Sequence, residues 1–309
     1  MSLGAVFPGQ GAQSVGMLAE LAGEYPELTE RFSQASAVLG FDLWEMVQAG
    51  PAEVLSQTEN TQPILLTASI AIWDLWSSRA SVAPAFLAGH SLGEYSACVA
   101  AGAMQFDDAV RLVRRRGEIM EAAVPRGQGA MAAVMGLDDE AIAQCCDAAE
   151  GVVAPANFNA PGQTVIAGAA AAVEDAAARC KEAGAKRAVM LDVSGPFHSP
   201  LMVQAKDDFA AVLNTVELSD PRIPVVHNVN ATVAADVDTL REYLLEQIAA
   251  PVLWNASVQT MLSQGVQSFI EVGPGNVLAG LIRRIAKGTP VQATASPDAF
   301  AAACELTAE

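Results

Sequence analysis

The strongest constraint on the fold is a serine between two glycines, placed where a short apolar run gives way to a helical pattern. Residues 84–88 are a short apolar run of the kind that buried strands have. They lead directly into Gly89-His90-Ser91-Leu92-Gly93, and an alanine-rich helical segment follows. A strand, a sharp turn and a helix in this order are typical of sheets whose strands run parallel under a cover of helices.

Short apolar runs and helical patterns alternate along most of the chain. Strands are predicted at residues 3–7, 84–88, 225–228 and 268–272. Helices are predicted at residues 17–23, 27–39, 62–79, 107–124, 201–213, 237–248 and 254–264. Pro63 is expected near the first turn of its helix, where a missing N–H costs little. The alternation predicts an α/β fold with a mostly parallel sheet flanked by helices.

The segment between residues 127 and 194 has an order of elements of its own. Strands are predicted at residues 130–135, 152–157, 164–167 and 188–192, with helices at 138–149 and 169–183. The order βαββαβ is that of a ferredoxin-like unit. We therefore predict a small ferredoxin-like subdomain at 127–194, inserted into a large domain made of residues 1–126 and 195–309.

The charge and the cysteine content exclude several classes of protein. With 35 acidic and 17 basic side chains the net charge is −18, so a nucleic-acid partner is not expected. Five cysteines without a CxxC spacing predict neither a disulfide framework nor a zinc site. The first residues lack the basic segment of a signal peptide, and no apolar run is long enough to span a membrane. These features predict a cytoplasmic enzyme without membrane contact.

Ser91 lies where an exposed nucleophile is expected. Gly89 and Gly93 allow the tight turn and leave room for a substrate. The N–H groups at the start of the next helix favour negative charge there, and the backbone N–H of Leu92 is the first candidate for an oxyanion donor. A pattern of five residues can also arise by chance in a chain rich in glycine and alanine. The preceding strand and the following helix favour the catalytic interpretation.

A serine nucleophile needs a base, and the chain contains three histidines. His90 adjoins the serine, and we expect its side chain to point elsewhere and pack. His227 lies in a predicted strand, which favours an interior histidine with satisfied hydrogen bonds. His198 lies in a loop with proline on both sides, from which a base can reach across a cleft. His198 is therefore the preferred base.

An arginine-rich helix offers a group that could bind an anion. Three consecutive arginines, at 114–116, usually mark a solvated helix face, but helical spacing prevents all three from pointing the same way. Arg116 lies about 100° around the helix from Arg115 and has Leu112 and Met120 as apolar neighbours. We expect Arg116 to be partly buried, where a guanidinium suits bidentate binding of a substrate carboxylate.

Together these motifs resemble, in order, those of the malonyl-CoA:acyl carrier protein transacylases of type II fatty acid synthesis, which are related to the acyltransferase domains of polyketide synthases. The resemblance extends from about residue 4 to residue 285. The matching segments are Phe7-Pro8-Gly9-Gln10-Gly11, Gly89-His90-Ser91-Leu92-Gly93-Glu94, Arg116-Gly117, Asn157-Phe158-Asn159-Ala160-Pro161-Gly162-Gln163, Pro196-Phe197-His198 and Glu271-Val272-Gly273-Pro274-Gly275. Six ordered motifs are far more specific than the glycine-flanked serine alone.

The resemblance implies a fold and a reaction. It implies that the large domain is a hydrolase-like α/β core into which the ferredoxin-like subdomain is inserted. It also implies that a malonyl group moves from malonyl-CoA to Ser91 as an ester, and that coenzyme A then leaves. In the second half of this ping-pong reaction, the pantetheine thiol of acyl carrier protein takes the malonyl group. Neither a metal nor a redox cofactor is required by this mechanism.

The resemblance further assigns roles to residues around the nucleophile. It makes Ser91 the acylated residue and His198 its base, and it makes the main-chain carbonyl of Gln247 the group that orients this histidine. It also implies that the backbone N–H of Gln10 completes an oxyanion hole with that of Leu92.

Four more residues match positions that contact the substrate. Arg116 corresponds to the residue that binds the free malonyl carboxylate, and Gln62 and Met120 correspond to residues lining the acyl pocket. Phe197, directly before the histidine, is typical of malonyl-selective members of the family.

Three other functions stay open at this point. A serine hydrolase needs an acidic residue, and Asp192 is the near candidate, although its position suits a turn or the surface. A non-catalytic relative could use the same fold only to dock a carrier protein, and a transferase of a secondary pathway could carry another extender unit. Intact Ser91 and His198 disfavour docking alone, and Phe197 disfavours another extender unit.

The docking surface for a carrier protein has two candidates. Carrier proteins are acidic, and so is this chain, so a local basic rim is needed. The two clusters that could form it are Arg283, Arg284 and Lys287, and Lys181, Lys186 and Arg187. Both could equally be ordinary surface charge on helices.

Overall fold

The computed structural model describes residues 2–306 and contains two separate β-sheets. The strands in chain order are β1 (Leu3–Phe7), β2 (Phe86–Gly89), β3 (Gly129–Met135), β4 (Val153–Ala160), β5 (Gln163–Ala169), β6 (Arg187–Met190), β7 (Val225–Val226), β8 (Ser268–Glu271) and β9 (Val291–Ala293).

Helices precede, connect and follow these strands. They are α1 (Ala19–Glu24), α2 (Leu28–Leu39), α3 (Leu43–Ala49), α4 (Ala52–Leu55), α5 (Thr58–Ser77), α6 (Gly93–Ala100), α7 (Phe106–Ala122), α8 (Asp139–Ala148), α9 (Ala170–Glu182), α10 (Val203–Leu213), α11 (Val237–Glu246), α12 (Trp254–Ser263), α13 (Val277–Ile285) and α14 (Pro297–Glu305). A single 3-10 turn, Pro200–Met202, leads into α10. Within residues 2–306, the longest apolar helices still fall short of what a membrane crossing requires.

The larger sheet has five parallel strands in the order β7-β2-β1-β8-β9. Both of its faces are covered, because Ala5 and Phe7 pack into one hydrophobic cluster and Val6 packs into another. A strand buried on two faces has no polar side, which explains why residues 3–7 form an unbroken apolar run. This parallel sheet between helices confirms the predicted fold class.

The site is positioned by the way in which β1 and β2 end together. Phe7, the last residue of β1, pairs with Gly89, the last residue of β2. Because the carboxyl ends of neighbouring parallel strands meet at one edge of the sheet, the loops that follow both strands start from the same place. Gln10 and Ser91 are therefore brought to the same edge.

The smaller sheet is antiparallel, with the order β4-β5-β3-β6. Its elements follow the predicted order βαββαβ, and α8 and α9 pack on the sheet around a hydrophobic cluster of its own. Asp138 caps α8, because its side chain accepts a hydrogen bond from the N–H of Ala141 at 2.8 Å. The domain boundaries at 126/127 and 194/195 stay a prediction. The predicted large domain also includes residue 1 and residues 307–309, which lie outside the described part of the chain.

Several predicted elements have different bounds in the structure, and the differences at α5 and β7 have a physical reason. Helix α5 starts at Thr58 instead of residue 62, so Pro63 lies inside the helix. Pro63 has no N–H for the carbonyl of Glu59, but Arg114 donates a hydrogen bond to that oxygen at 3.1 Å and so allows the helix to continue. Strand β7 stops at Val226, because a turn after it brings the N–H of Ala231 to the carbonyl of His227 at 3.0 Å.

Candidate active site

The turn that carries Ser91 is tight and strained. Ser91 has a φ of 50°, in the left-handed region that residues other than glycine rarely adopt. The two flanking glycines meet, since a Cβ atom added to Gly89 would lie 1.8 Å from the backbone carbon of Gly93. Only glycine at these positions lets the strand, the turn and the helix approach so closely.

Asn228 supports this turn from the segment just after β7, the strand beside β2. Its Oδ1 accepts a hydrogen bond from the N–H of Ser91 at 2.8 Å, and its Nδ2 donates one to the carbonyl of Gly89 at 2.7 Å. Asn228 is fully buried. The sequence analysis missed this residue, because it placed Asn228 at the end of a predicted strand, where no spacing pattern distinguishes it.

His198 contacts the hydroxyl of Ser91 directly. The distance between Ser91 Oγ and His198 Nε2 is 2.6 Å, and His198 Nδ1 lies 2.8 Å from the main-chain oxygen of Gln247. Since a carbonyl oxygen can only accept, Nδ1 carries the proton and the lone pair of Nε2 faces the hydroxyl. His198 also has a left-handed backbone, with a φ of 59°. The imidazole is thus held in the tautomer that can receive a proton from serine.

The surroundings of His198 keep its imidazole neutral. Burial, reinforced by the positive charge of Arg116, lowers the pKa of His198 from 6.5 to about 3. Asp192, the acidic residue of the hydrolase alternative, is exposed, and the Gln247 carbonyl occupies the position at Nδ1 that such a carboxylate would need.

The other two histidines pair with groups away from the hydroxyl of Ser91. His90 Nε2 lies 2.8 Å from the side-chain oxygen of Asn159, and burial lowers the pKa of His90. His227 Nδ1 lies 2.7 Å from a carboxylate oxygen of Glu94. His90 agrees with the expectation that its side chain packs away from the hydroxyl of Ser91. His227 is interior as expected, but its hydrogen bonds are not all satisfied, because its buried Nε2 has no partner within residues 2–306.

Arg116 is buried beside the nucleophile, deeper than the partial burial that we expected. Its side chain is among the largest that are fully buried, with 1% of the residue exposed. Helix α7 comes close enough to α5 for this because residue 117 is glycine, where a Cβ would lie 2.6 Å from the Cα of Glu59. In contrast, Arg115 faces solvent and pairs with Glu118.

The guanidinium of Arg116 has polar partners on two sides. It donates to the side-chain oxygen of Gln62 at 3.0 Å and to that of Gln247 at 2.8 Å, and its Nη2 lies 3.4 Å from Ser91 Oγ. Within the described part of the chain, Arg116 Nε and Gln62 Nε2 are buried donors without an acceptor. Unpaired buried donors are costly, so these two favour a ligand that brings acceptor oxygens.

Ser91 opens into a small cavity of about 140 Å³. Met120, which the resemblance assigns to the acyl pocket, lines it, and so do Phe197 and Gln10. Gln62 is not among the lining residues and contacts the site through Arg116. The cavity shares Gln10 and Phe197 with a wider cleft of about 630 Å³. A compact acyl group therefore has a place beside Ser91, with a longer approach behind it.

The two predicted oxyanion donors lie on the loops that follow β1 and β2. Gln10 lines the cavity together with Ser91. Leu92 immediately precedes α6, so its N–H has no partner within that helix. For a metal, by contrast, residues 2–306 contain no group of three or more His, Cys, Asp and Glu side chains with suitable placement.

Comparisons of the whole chain with known proteins identify its family. The family model described as acyl transferase domain matches residues 5–297. The malonyl CoA-acyl carrier protein transacylase of Escherichia coli K12 is 54% identical over 303 residues, which cover 97% of this chain and 98% of the relative.

Solved structures agree with this similarity. The crystal structure of an acyl carrier protein S-malonyltransferase from Vibrio cholerae has a TM-score of 0.95 and 51% identity, covering 98% of this chain and 99% of that one. A malonyl-transacylase solved in complex with a type II PKS acyl-carrier protein has a TM-score of 0.97 and 46% identity, covering 99% of this chain and 100% of that one. The chain therefore belongs to the acyl transferase family and, within it, to the malonyl CoA-acyl carrier protein transacylases.

Proposed function

We propose that this protein transfers a malonyl group from malonyl-CoA to the thiol of an acyl carrier protein, through an ester on Ser91, and so supplies fatty acid synthesis. The observation that carries the proposal is that a neutral imidazole and a buried guanidinium both lie beside one serine hydroxyl. The names of relatives with up to 54% identity support the same reaction.

The first half of the reaction forms the ester. Nε2 of His198 takes the proton of the Ser91 hydroxyl while Oγ attacks the thioester carbonyl of malonyl-CoA. The carbonyl oxygen becomes an oxyanion, and we assign the backbone N–H groups of Leu92 and Gln10 as its donors. When the carbon–sulfur bond breaks, the imidazolium returns its proton to the coenzyme A thiolate. The malonyl group is left on Ser91 with no net change in protons.

The acyl group is recognised by charge and by size. Arg116 binds the free malonyl carboxylate, using donors that are already desolvated and therefore interact strongly with an anion. Gln62 holds the guanidinium through its side-chain oxygen and offers a spare N–H. Met120 and Phe197 limit the space around the carbon between the two carbonyl groups.

The second half of the reaction reverses the first with a different thiol. The pantetheine thiol of acyl carrier protein enters by the wider cleft and gives its proton to His198 as its sulfur attacks the ester. The collapse of the oxyanion releases malonyl-pantetheine and returns the proton to Ser91. One structural relative was solved in complex with an acyl-carrier protein, which supports a carrier protein as the acceptor. No step in this scheme uses a metal or a redox cofactor.

Two further assignments concern the domain boundaries of the chain and the cell compartment in which the protein works. We assign residues 127–194 to a subdomain that forms one wall of the cleft, because Leu191 and Val193 line the cleft together with Gln10. We also assign the protein to the cytoplasm, where thiols stay reduced, because Cys98, Cys145, Cys146 and Cys180 are buried and form no disulfide within residues 2–306.

Intact-mass spectrometry tests the covalent intermediate. After brief mixing with malonyl-CoA and no carrier protein, the wild type should gain the mass of one malonyl group, and adding a carrier protein should remove it. Ser91→Ala should gain nothing, because it lacks the attacking oxygen. A wild-type protein that hydrolyses malonyl-CoA rapidly without any carrier protein would instead indicate a hydrolase. An adduct that persists in Ser91→Ala would refute the assigned nucleophile.

A further inference from the structure

We propose that Glu94 is a positioning residue for the acyl transfer, because it sets the orientation of the Gln247 side-chain amide and thereby holds Arg116 beside Ser91. The inference rests on the proposed function, since it assumes that Arg116 binds the malonyl carboxylate. It adds a residue whose carboxylate acts through the groups that contact the substrate and the nucleophile, while its backbone N–H donates to the carbonyl of Ser91 at 3.0 Å.

Glu94 is a charged residue where an apolar one would be expected. It is the second residue of α6, the helix that follows the nucleophile, and it is completely buried. Burial of a carboxylate is costly unless its oxygens are fully hydrogen-bonded. Each oxygen of Glu94 has a donor. One oxygen lies 2.7 Å from His227 Nδ1, and the other accepts from the N–H of Asn228 at 3.0 Å and from Gln247 Nε2 at 2.8 Å.

The contact with Gln247 determines which way its amide points. Nε2 of Gln247 donates to Glu94 and also to the carbonyl oxygen of Ser91, at 2.9 Å. Two acceptors on this side leave the amide oxygen facing the other way, where it accepts from Arg116 Nη2 at 2.8 Å. If the amide were rotated by half a turn, oxygen would face the two acceptors and an NH₂ group would face the guanidinium. Glu94 therefore favours the orientation in which Arg116 has an acceptor.

The same residue, Gln247, also holds the base. Its main-chain oxygen lies 2.8 Å from His198 Nδ1, and its side chain contacts the main chain of Ser91. Glu94 also holds the N–H of Asn228, and the side chain of Asn228 in turn holds the N–H of Ser91. The nucleophile, the base and the guanidinium thus all contact the buried Gln247, so a shift of Gln247 moves all three.

A carboxylate is the side chain that suits this position. The N–H of Asn228 and Nε2 of Gln247 donate to one oxygen, and His227 with its proton on Nδ1 donates to the other. The position then needs an acceptor at both oxygens, which a carboxylate has. Glutamine has the same size but would turn one NH₂ group towards these donors. The variant Glu94→Gln therefore keeps the volume but leaves one acceptor oxygen where Glu94 has two, and we expect the amide of Gln247 to lose its fixed orientation.

Acyl selectivity separates positioning from a general loss of structure. The rate at which Ser91 is acylated is measured with malonyl-CoA and with acetyl-CoA for the wild type, Glu94→Gln and Arg116→Ala. Displacement of reacting groups by about 1 Å can cost roughly 10²-fold in rate. For Glu94→Gln we expect malonyl transfer to fall by roughly that factor and the malonyl-to-acetyl ratio to fall at least about tenfold. Damage to packing alone would slow both substrates equally.

The matched control is Ser96→Ala, on the same helix. Ser96 is completely buried, and its hydroxyl has no partner within residues 2–306, so its removal tests the helix without touching the hydrogen bonds of Glu94. We expect Ser96→Ala to keep the wild-type ratio. If Glu94→Gln cannot be isolated folded, Glu94→Asp replaces it, because the shorter side chain withdraws the carboxylate from Gln247 and should lower the ratio in the same direction.

The outcomes distinguish this inference from the function on which it rests. If Arg116→Ala slows malonyl and acetyl transfer equally, the proposed binding of malonyl by Arg116 is wrong. If Arg116→Ala changes the ratio while folded Glu94→Gln or Glu94→Asp keeps the wild-type ratio, the proposed function stands and the positioning role of Glu94 is refuted.

Discussion

Ser91 and His198 both adopt left-handed backbone conformations, with φ angles of 50° and 59°. Such conformations cost of order 1–3 kcal/mol for residues other than glycine and persist only where surrounding contacts enforce them. Here the N–H of Ser91 is held by Asn228, and the imidazole of His198 is held by the carbonyl of Gln247. The strain therefore coincides with the 2.6 Å contact between hydroxyl and imidazole.

The depressed pKa of His198 predicts an unusual pH dependence. A protonated imidazole cannot accept the serine proton, and the pKa of His198 is lowered from 6.5 to about 3 by burial and by Arg116. The burst of Ser91 acylation by neutral p-nitrophenyl acetate should therefore stay level from about pH 8 down to about pH 5, below where an ordinary histidine loses activity. Arg116→Ala removes a positive charge that lowers the pKa of His198, so the loss of acylation rate at acidic pH should begin at a higher pH in this variant. A wild-type loss of rate centred near pH 6.5 would contradict this explanation.

Among the helices, the crossing of α5 and α7 places the guanidinium. Gly117 lets α7 approach the first turns of α5, and Pro63 interrupts the hydrogen bonding of α5 close to that crossing. Arg114 repairs the interruption, since it donates to the carbonyl of Glu59 at 3.1 Å and to the side-chain oxygen of Asn60 at 2.5 Å. Arg114 thus supports α5, while Arg116, two residues further along α7, enters the site.

Substitution of Arg114 tests this supporting role. Arg114→Met keeps much of the aliphatic length but leaves the Glu59 carbonyl without its donor, so the free energy of unfolding should fall by about 1–3 kcal/mol. Arg115→Met is the matched control, because Arg115 is exposed, and its effect should stay within about 0.5 kcal/mol. Denaturant unfolding of both variants measures the difference. Equal losses would show that Arg114 contributes no more than a surface ion pair.

At the scale of the whole molecule, the fold joins two basic clusters that lie far apart in the sequence. The N–H of Lys186 donates to the carbonyl of Met135. The N–H of the next residue, Gly136, donates to the carbonyl of Gly162, in the turn between β4 and β5, at 2.8 Å. In the same turn, the carbonyl of Pro161 accepts a hydrogen bond from Arg284 at 3.4 Å. Basic residues of both clusters thus lie near the β4–β5 turn in a molecule with a net charge of −18.

Charge reversal tests whether this region attracts an acidic carrier protein. For the double variant Lys186→Glu and Arg284→Glu, kcat/KM for carrier protein should fall by roughly tenfold at low salt, because association is steered by charge. The loss should shrink as salt screens the charges, and acylation by malonyl-CoA alone should not change. The control Arg111→Glu reverses an exposed charge in a separate groove. A loss as large in this control would point to net charge instead of a local surface.

The sequence by itself determined the parallel sheet, the ferredoxin-like order of elements and the turn around Ser91. These features depend on residues close together in the chain, where apolar spacing and flanking glycines carry the signal. The elements that were not predicted are α3 (Leu43–Ala49), α4 (Ala52–Leu55), α13 (Val277–Ile285), α14 (Pro297–Glu305) and β9 (Val291–Ala293). Each has nine residues or fewer, and so short a stretch gives only a weak periodic signal. Local spacing also singled out His198 and Arg116 as candidates, although it said nothing of their distance from Ser91.

Only the tertiary structure decided how the polar groups meet. Ser91 and His198 are 107 positions apart, and Gln247 Nε2 reaches the carbonyl of Ser91 across 156 positions. The sequence analysis assigned no role to Glu94 or Asn228, although both touch the residues that hold the nucleophile. A hydrogen bond between distant segments leaves no periodic trace in a sequence, because it depends on where folding brings each donor and acceptor together.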